Sequence, residues 1–269
     1  MGLGFKLETW GGIEKTSNFN PQTSNDLANS YFQFKQFTIH QDGCAMKVTT
    51  DACLFGAWAA EEIKSQKLKI ETVLDIGTGT GLLALMVSQE NPRMKIDAIE
   101  IDKEAAEQAT INVASSPWKG QINIVQADVK GFPFEKEIDI IISNPPFYEK
   151  EIRSATGSKN VAHHSEDLTL KGLLAIIKDN LSKTGSFFLL LPYKRNEEIK
   201  KLFKDQQLRI SNMILVRQSV KHEYFRIFIK GRLNADKKET EFNELSIRDD
   251  KEQYTNEFVN LLKDYYLHL

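Results

Sequence analysis

The chain has only two cysteines, Cys44 and Cys53, in 269 residues. That is too few for a disulfide framework, and neither has a ligand-spaced histidine beside it that would suggest a zinc site. Both read as buried thiols. Histidine is nearly as scarce, with five residues; the adjacent His163 and His164 point in different directions and read as a solvated loop pair, so no metal is expected. No apolar run approaches the roughly eighteen residues of a membrane-spanning helix, and the stretch from Met1 to Lys15 lacks a signal peptide's apolar centre. The expectation is a cytoplasmic protein with no membrane partner. There is no internal repeat. Net charge is also small, at −2, so the chain as a whole does not advertise nucleic-acid binding. What remains is ordinary globular composition, 41% hydrophobic and 27% charged, in a chain long enough to bury a sizeable core.

Against that background Asn144-Pro145-Pro146-Phe147 stands out, at the end of the apolar run Ile138-Asp139-Ile140-Ile141-Ile142-Ser143, which reads as a buried strand. In an open α/β sheet the C-terminal strand ends are where ligands bind. These residues suit a planar amine such as that of adenine, whose lone pair is delocalised into the ring. The Asn144 side-chain oxygen and the Pro145 carbonyl would accept its two hydrogens and favour a pyramidal nitrogen. The prolines fix φ and hold that carbonyl, and Phe147 would stack on the base. Taken alone, the same residues also fit a Pro-Pro turn with Phe147 as packing.

A second motif runs from the apolar strand Val73-Leu74-Asp75-Ile76 through Gly77-Thr78-Gly79-Thr80-Gly81 into the helical run Leu82-Leu83-Ala84-Leu85-Met86-Val87. Its glycines occupy the first β-to-α turn, where backbone must approach a ligand closely. A dinucleotide fingerprint places its third glycine three residues after the second; here the spacing is shorter and Asp75 precedes the turn, which disfavours NAD. Asp-x-Gly-x-Gly-x-Gly instead resembles the cofactor loop of class I S-adenosylmethionine methyltransferases, with Asp75, Gly77 and Gly79 as its cofactor-binding members. The next strand, Ile96 to Glu100, ends in a carboxylate at the position of a ribose-hydroxyl acceptor, with Asp102 as the cap of the following helix. A third strand, Ile122 to Val125, leads to Asp128, where that family accepts the hydrogen bond of the cofactor's adenine N6.

Along the chain, residues 1–30 are polar and read as a flexible segment ahead of a single domain over 31–269. That domain divides into an N-terminal extension (31–60), a core (61–232) and a tail with a closing helix (233–269). Phe32, Phe34, Phe37 and Ile39 suggest a hairpin, and Thr50 a cap for a helix from about Asp51. The expected elements are strand 70–76, helix 81–90, strand 95–100, helix 103–115, strand 121–126, strand 137–143, helix 169–182, strand 185–192 and helix 195–205. Strands 208–217 and 224–232 follow as an antiparallel pair closing the sheet, and a helix within 254–267 ends the chain. This alternation predicts an α/β fold, a doubly wound and mostly parallel sheet. Residues 148–166 read as a loop gating the substrate. Charge is uneven: residues 194–232 hold eleven Lys and Arg against four acids, whereas 233–269 hold nine acids against five bases. The basic stretch, with Lys194, Arg195, Lys200 and Lys201 at its start, fits an anionic partner held by local charge, or else a helix with a solvated basic face.

Phe34 to Asp51, followed by Gly56-Ala57-Trp58, resembles the opening of the bacterial enzymes that methylate N6 of the adenine 3′ to the anticodon of a valine tRNA, and the resemblance continues to the C-terminus. It implies a class I methyltransferase fold, S-adenosylmethionine as methyl donor and tRNA as substrate. By the same resemblance Asn144, Pro145, Pro146 and Phe147 are the target-amine site, and Lys47, Thr50 and Asp51 belong to a strip closing over the methionine end of the cofactor. The strip also reads as helix capping and core. Two alternatives stay open: a release-factor glutamine methyltransferase, which uses the same Asn-Pro-Pro-aromatic site, and a non-catalytic RNA-binding module with this fold. The protein is expected to be a monomer.

Overall fold

The computed structural model describes residues 30–44, 46–66, 70–146, 168–233 and 239–269. Phe147, the expected gating loop, the histidine pair and almost all of the N-terminal segment lie outside the described residues. The elements are β1 (Tyr31–Gln33), β2 (Thr38–His40), α1 (Thr50–Lys64), β3 (Thr72–Ile76), α2 (Leu82–Glu90), β4 (Lys95–Glu100), α3 (Lys103–Ala114), β5 (Ile122–Gln126), β6 (Ile138–Ser143), α4 (Leu170–Asn180), β7 (Leu181–Pro192), α5 (Asn196–Asp205), β8 (Leu208–Ser219), β9 (Tyr224–Leu233), β10 (Glu241–Arg248) and α6 (Asn256–Leu262).

Strands β1 and β2 form a separate hairpin, and the other eight make one sheet in the order β10-β8-β9-β7-β6-β3-β4-β5. All its pairings are parallel except those of β9, which is antiparallel to both β7 and β8. Helices cover both faces, so the central strands are apolar on both sides and read as continuous runs. Successive residues of one strand enter opposite layers: Val73, Ile140, Ile142 and Phe188 pack under the hairpin, α1, α2 and α6, whereas Leu74, Ile141, Phe187 and Leu189 pack under α4 and α5. Helix α1 is buried nearly all round, with Cys53, Leu54, Phe55, Ala59 and Ala60 at zero exposure, because sheet, hairpin and C-terminal helix enclose it. Gly56 permits this, since a Cβ there would lie 2.6 Å from Met86 Sδ.

Three expectations need correction. The antiparallel pair does not close the sheet: Glu241–Arg248, not recognised as a strand, adds to β8 in parallel and forms the edge. Thr50 is the first residue of α1 rather than its cap, the N-cap position falling on Thr49. Helix α4 stops at Asn180 and β7 begins at Leu181, pairing with Ile138 before a register shift restores the ladder at Ser186.

Candidate active site

The strand register aligns one rim of the sheet. Ser143 pairs with Leu189, Asp75 with Ile142, Ile76 with Ile99 and Glu100 with Gln126. The C-terminal ends of β6, β3, β4 and β5 therefore lie side by side, carrying Asn144, the glycine turn, Glu100 and the segment to Asp128. Ser143 Oγ locks the first two together by donating to the Ile76 carbonyl at 2.7 Å.

Gly77, Gly79 and Gly81 all have positive φ, at 70°, 56° and 83°, a conformation that only glycine adopts readily. Space is open within 4 Å of where a Cβ would stand on Gly77 and Gly79, so the turn presents bare backbone at the rim, as close approach of a ligand requires. Glu100 organises it. Its Oε2 accepts from the Gly79 N–H at 2.8 Å and its Oε1 from the Asp102 N–H at 3.0 Å. Each carboxylate oxygen has a second acceptor direction, which leaves capacity for a ribose diol. These groups fit the ribose and methionine parts of S-adenosylmethionine. Asp102 caps α3 through the Ala105 N–H, as expected. Asp128 caps a short 3-10 turn through the Lys130 N–H at 2.9 Å, and its side chain remains 44% exposed, so it can still accept a ligand's hydrogen bond.

Asp75 is fully buried, and Thr78 Oγ1 donates to its Oδ2 at 2.7 Å. Burial, with Glu100 adding repulsion, pushes its carboxyl up to about 7 despite the Thr78 hydrogen bond. Asn144 is only partly buried, yet its Oδ1 is fully enclosed and has no hydrogen-bond partner among the described residues. It is one of ten such enclosed side-chain atoms among the described residues, and it stands directly after β6, on the rim beside the glycine turn. Pro145 and Pro146 back onto a hollow of about 20 Å³ that Leu168, Leu191, Pro192 and Arg195 help to line. Arg195 thus lies beside the motif, although its guanidinium is held by Glu198 at 2.6 Å, and Lys200 pairs with Glu197 at 3.0 Å. Lys194 and Lys201 are exposed.

Lys47 lies three residues before Thr50, the first residue of α1. Lys47 Nζ donates to the Gln41 carbonyl at 2.5 Å; burial raises the Cys44 thiol to about 11, with Glu100 adding to the rise and Lys47 opposing it. The residue after Thr50, Asp51, meets Arg226 of β9 at 2.6 Å.

Asn112 was not recognised in the sequence. Its Nδ2 donates to the carbonyls of His40, at 2.8 Å, and Thr80, at 2.9 Å, while its Oδ1 accepts from the His40 N–H. It ties hairpin, α3 and glycine turn together, and its only signal is an amide on the apolar face that Ala105, Ala109 and Val113 define.

Residues 60–204 match the family described as the methyltransferase small domain. A tRNA1(Val) (adenine(37)-N6)-methyltransferase of Bacteroides thetaiotaomicron is 37% identical over 90% of this chain and its own full length. The protein of the same name from Dyadobacter fermentans is 47% identical over 61% of this chain and 66% of its own. Among solved structures, a predicted O-methyltransferase of Agrobacterium tumefaciens aligns with a TM-score of 0.59, covering 80% of this chain and 96% of its own at 14% identity. A putative RNA methyltransferase of Pyrococcus horikoshii aligns at 0.52, covering 82% and 100% at 17% identity. Those two share the fold, and the full-length relatives show more: the chain belongs to the tRNA1(Val) (adenine(37)-N6)-methyltransferase family.

Proposed function

We propose that this chain transfers the methyl group of S-adenosylmethionine to the N6 amine of adenine 37 in a valine tRNA, the reaction its relatives are named for. The observation that carries this is the enclosed, unpartnered Asn144 Oδ1 on the strand next to the glycine turn. S-adenosylmethionine, when bound, supplies an electrophilic methyl on a sulfonium.

The chain's own tasks are then alignment and lone-pair control. Asn144 Oδ1 and the Pro145 carbonyl accept the two N–H groups of the target amine, and the fixed φ of both prolines holds the geometry. Phe147 stacks on the adenine. No strong base is required, because the amine becomes acidic only as the new N–C bond forms and then releases its proton to water. Glu100 accepts the ribose hydroxyls, Asp128 the cofactor's adenine N6, and Asp75, Gly77 and Gly79 shape the turn beneath the methionine. Lys47 and Thr50 belong to the strip over it. Lys194, Arg195, Lys200 and Lys201 attract the RNA backbone, and the protein works as a cytoplasmic monomer without a metal.

Single-turnover methylation of a valine tRNA transcript tests this. Asn144→Ala should lose about 10²-fold or more in rate, as removal of one preorganised polar partner does, with tRNA affinity largely kept. Near-wild-type turnover by this variant would overturn the site, and methylation of a release factor instead of tRNA would overturn the substrate.

A further inference from the structure

The catalytic rim continues past β6. Pro192 pairs with Arg226, Arg217 with Tyr224 and Ser219 with Arg248, so the ends of β7, β8 and β10 and the start of β9 extend the same edge. There the β8–β9 turn, the end of β10 and the start of α1 enclose a cleft of about 410 Å³, lined among others by Thr50, Ser219, His222, Phe225, Arg248 and Tyr254. That volume falls within the roughly 300–1,000 Å³ of small-ligand sites. With strands about 4.8 Å apart, β8 stands roughly 14 Å along the rim from β6.

One wall is a prepared stacking platform. The Tyr254 ring stacks on Phe258 with centroids 4.4 Å apart and planes 14° apart, and Arg248 Cζ lies 4.4 Å from the same centroid. Two groups this close cannot share one face, so Tyr254 lies between them and the guanidinium caps the column. Arg248 Nη1 is fixed by the Glu252 carbonyl at 2.5 Å. Glu252 itself is held at a left-handed φ of 60°, in a turn where Asp249 Oδ1 accepts from the Lys251 and Gln253 N–H groups at 2.8 and 2.9 Å. A non-glycine residue kept in that conformation stores strain that ordinarily persists only where the surroundings over-determine it. Charge at the cleft is close to balanced, because Asp51 is bonded to Arg226 and Glu252 offsets Arg248. A balanced, hydrogen-bonding cavity with a cationic plane suits a base and its sugar better than a run of phosphates.

We propose that this cleft receives a nucleotide of the substrate RNA flanking the target adenine, its base stacked on the outer face of Arg248. The inference rests on the RNA-methyltransferase reading above. Bases of single-stranded loops can be splayed out, and guanidinium planes are among the surfaces that receive them. A target base held at Asn144 and a neighbour held on Arg248 would fix the strand at two points along one rim, which sets the direction from which the target enters.

The test uses an anticodon stem-loop RNA carrying 4-thiouridine at each position flanking the target in turn, irradiated with the full-length enzyme. The expected result is a crosslink from one flanking position to a peptide within 218–226 or 247–254. Arg248→Ala should weaken RNA binding about tenfold, one base's stacking, and leave S-adenosylmethionine affinity unchanged. Arg248→Lys keeps the charge and should not restore binding. If the wild-type enzyme methylates the RNA but no flanking position crosslinks to the cleft, or if Arg248→Ala binds RNA as the wild type does, the cleft is not a subsite. If the wild-type enzyme neither binds nor methylates the RNA, the substrate reading fails with it.

Discussion

Replacing Asp75 by asparagine should stabilise the protein above neutral pH and do little in acid. The carboxyl is fully buried, and that burial outweighs the hydrogen bonds from Thr78 and the Ala84 backbone, so its pKa stands at about 7 in the folded protein against an ordinary 3.8. A raised carboxyl pKa means the folded state holds its proton while the unfolded state has lost it. Stability therefore falls as pH rises from about 4 to about 7 and is flat on either side. Three pH units correspond to about 4 kcal/mol. An asparagine can still accept from Thr78 and carries no charge to bury. Urea unfolding of both proteins from pH 4 to 8.5 should give nearly equal stabilities at the acid end and a difference growing to about 4 kcal/mol in the variant's favour. A pH-independent difference would refute the argument, because the burial of an ionised Asp75 would then not be what the native state opposes.

Glu100→Ala should weaken S-adenosylmethionine binding by about 1–3 kcal/mol, the worth of a charged hydrogen bond, and equal affinities by calorimetry would remove Glu100 from the site. Alanine at Lys194, Arg195, Lys200 and Lys201 together should lower tRNA affinity and flatten its salt dependence while sparing cofactor affinity. Because Arg195 and Lys200 already pair with Glu198 and Glu197, the loss should be smaller than four free cations would give, and unchanged titrations would make the helix only a solvated face. Gly231→Ala would set a Cβ 2.0 Å from Phe187 Cζ and 2.7 Å from the Arg209 carbonyl. Overpacking of this kind costs about 1–3 kcal/mol, and thermal melting should fall by about 2–6 °C.

What could be read from the sequence follows from how local each signal is. Strands β3 and β6 are buried on both faces and announce themselves as nearly continuous apolar runs, and the glycine turn is legible because few sequences need positive φ three times in five residues. Strand β10 hid because Glu241, Phe242, Asn243 and Glu244 face solvent at the sheet edge, leaving only Leu245 and Ile247 buried. The basic stretch was visible as composition, but its use was not. Five of its cations, Arg195, Lys200, Arg217, Arg226 and Lys230, sit in ion pairs, and the partners of the last two are Asp51 and Glu62, 175 and 168 residues away. These two cations pin β9 to α1. Such pairings form only on folding, and no window of sequence contains them.

The amide of Asn112 has a thermodynamic consequence. Because one side chain satisfies both His40 on the hairpin and Thr80 in the glycine turn, opening either segment leaves part of the buried Asn112 amide unpaired. Local opening of the two is therefore coupled through that amide. A cofactor that orders the turn will slow hydrogen exchange at the amide of His40, although that residue lies on a separate two-stranded sheet.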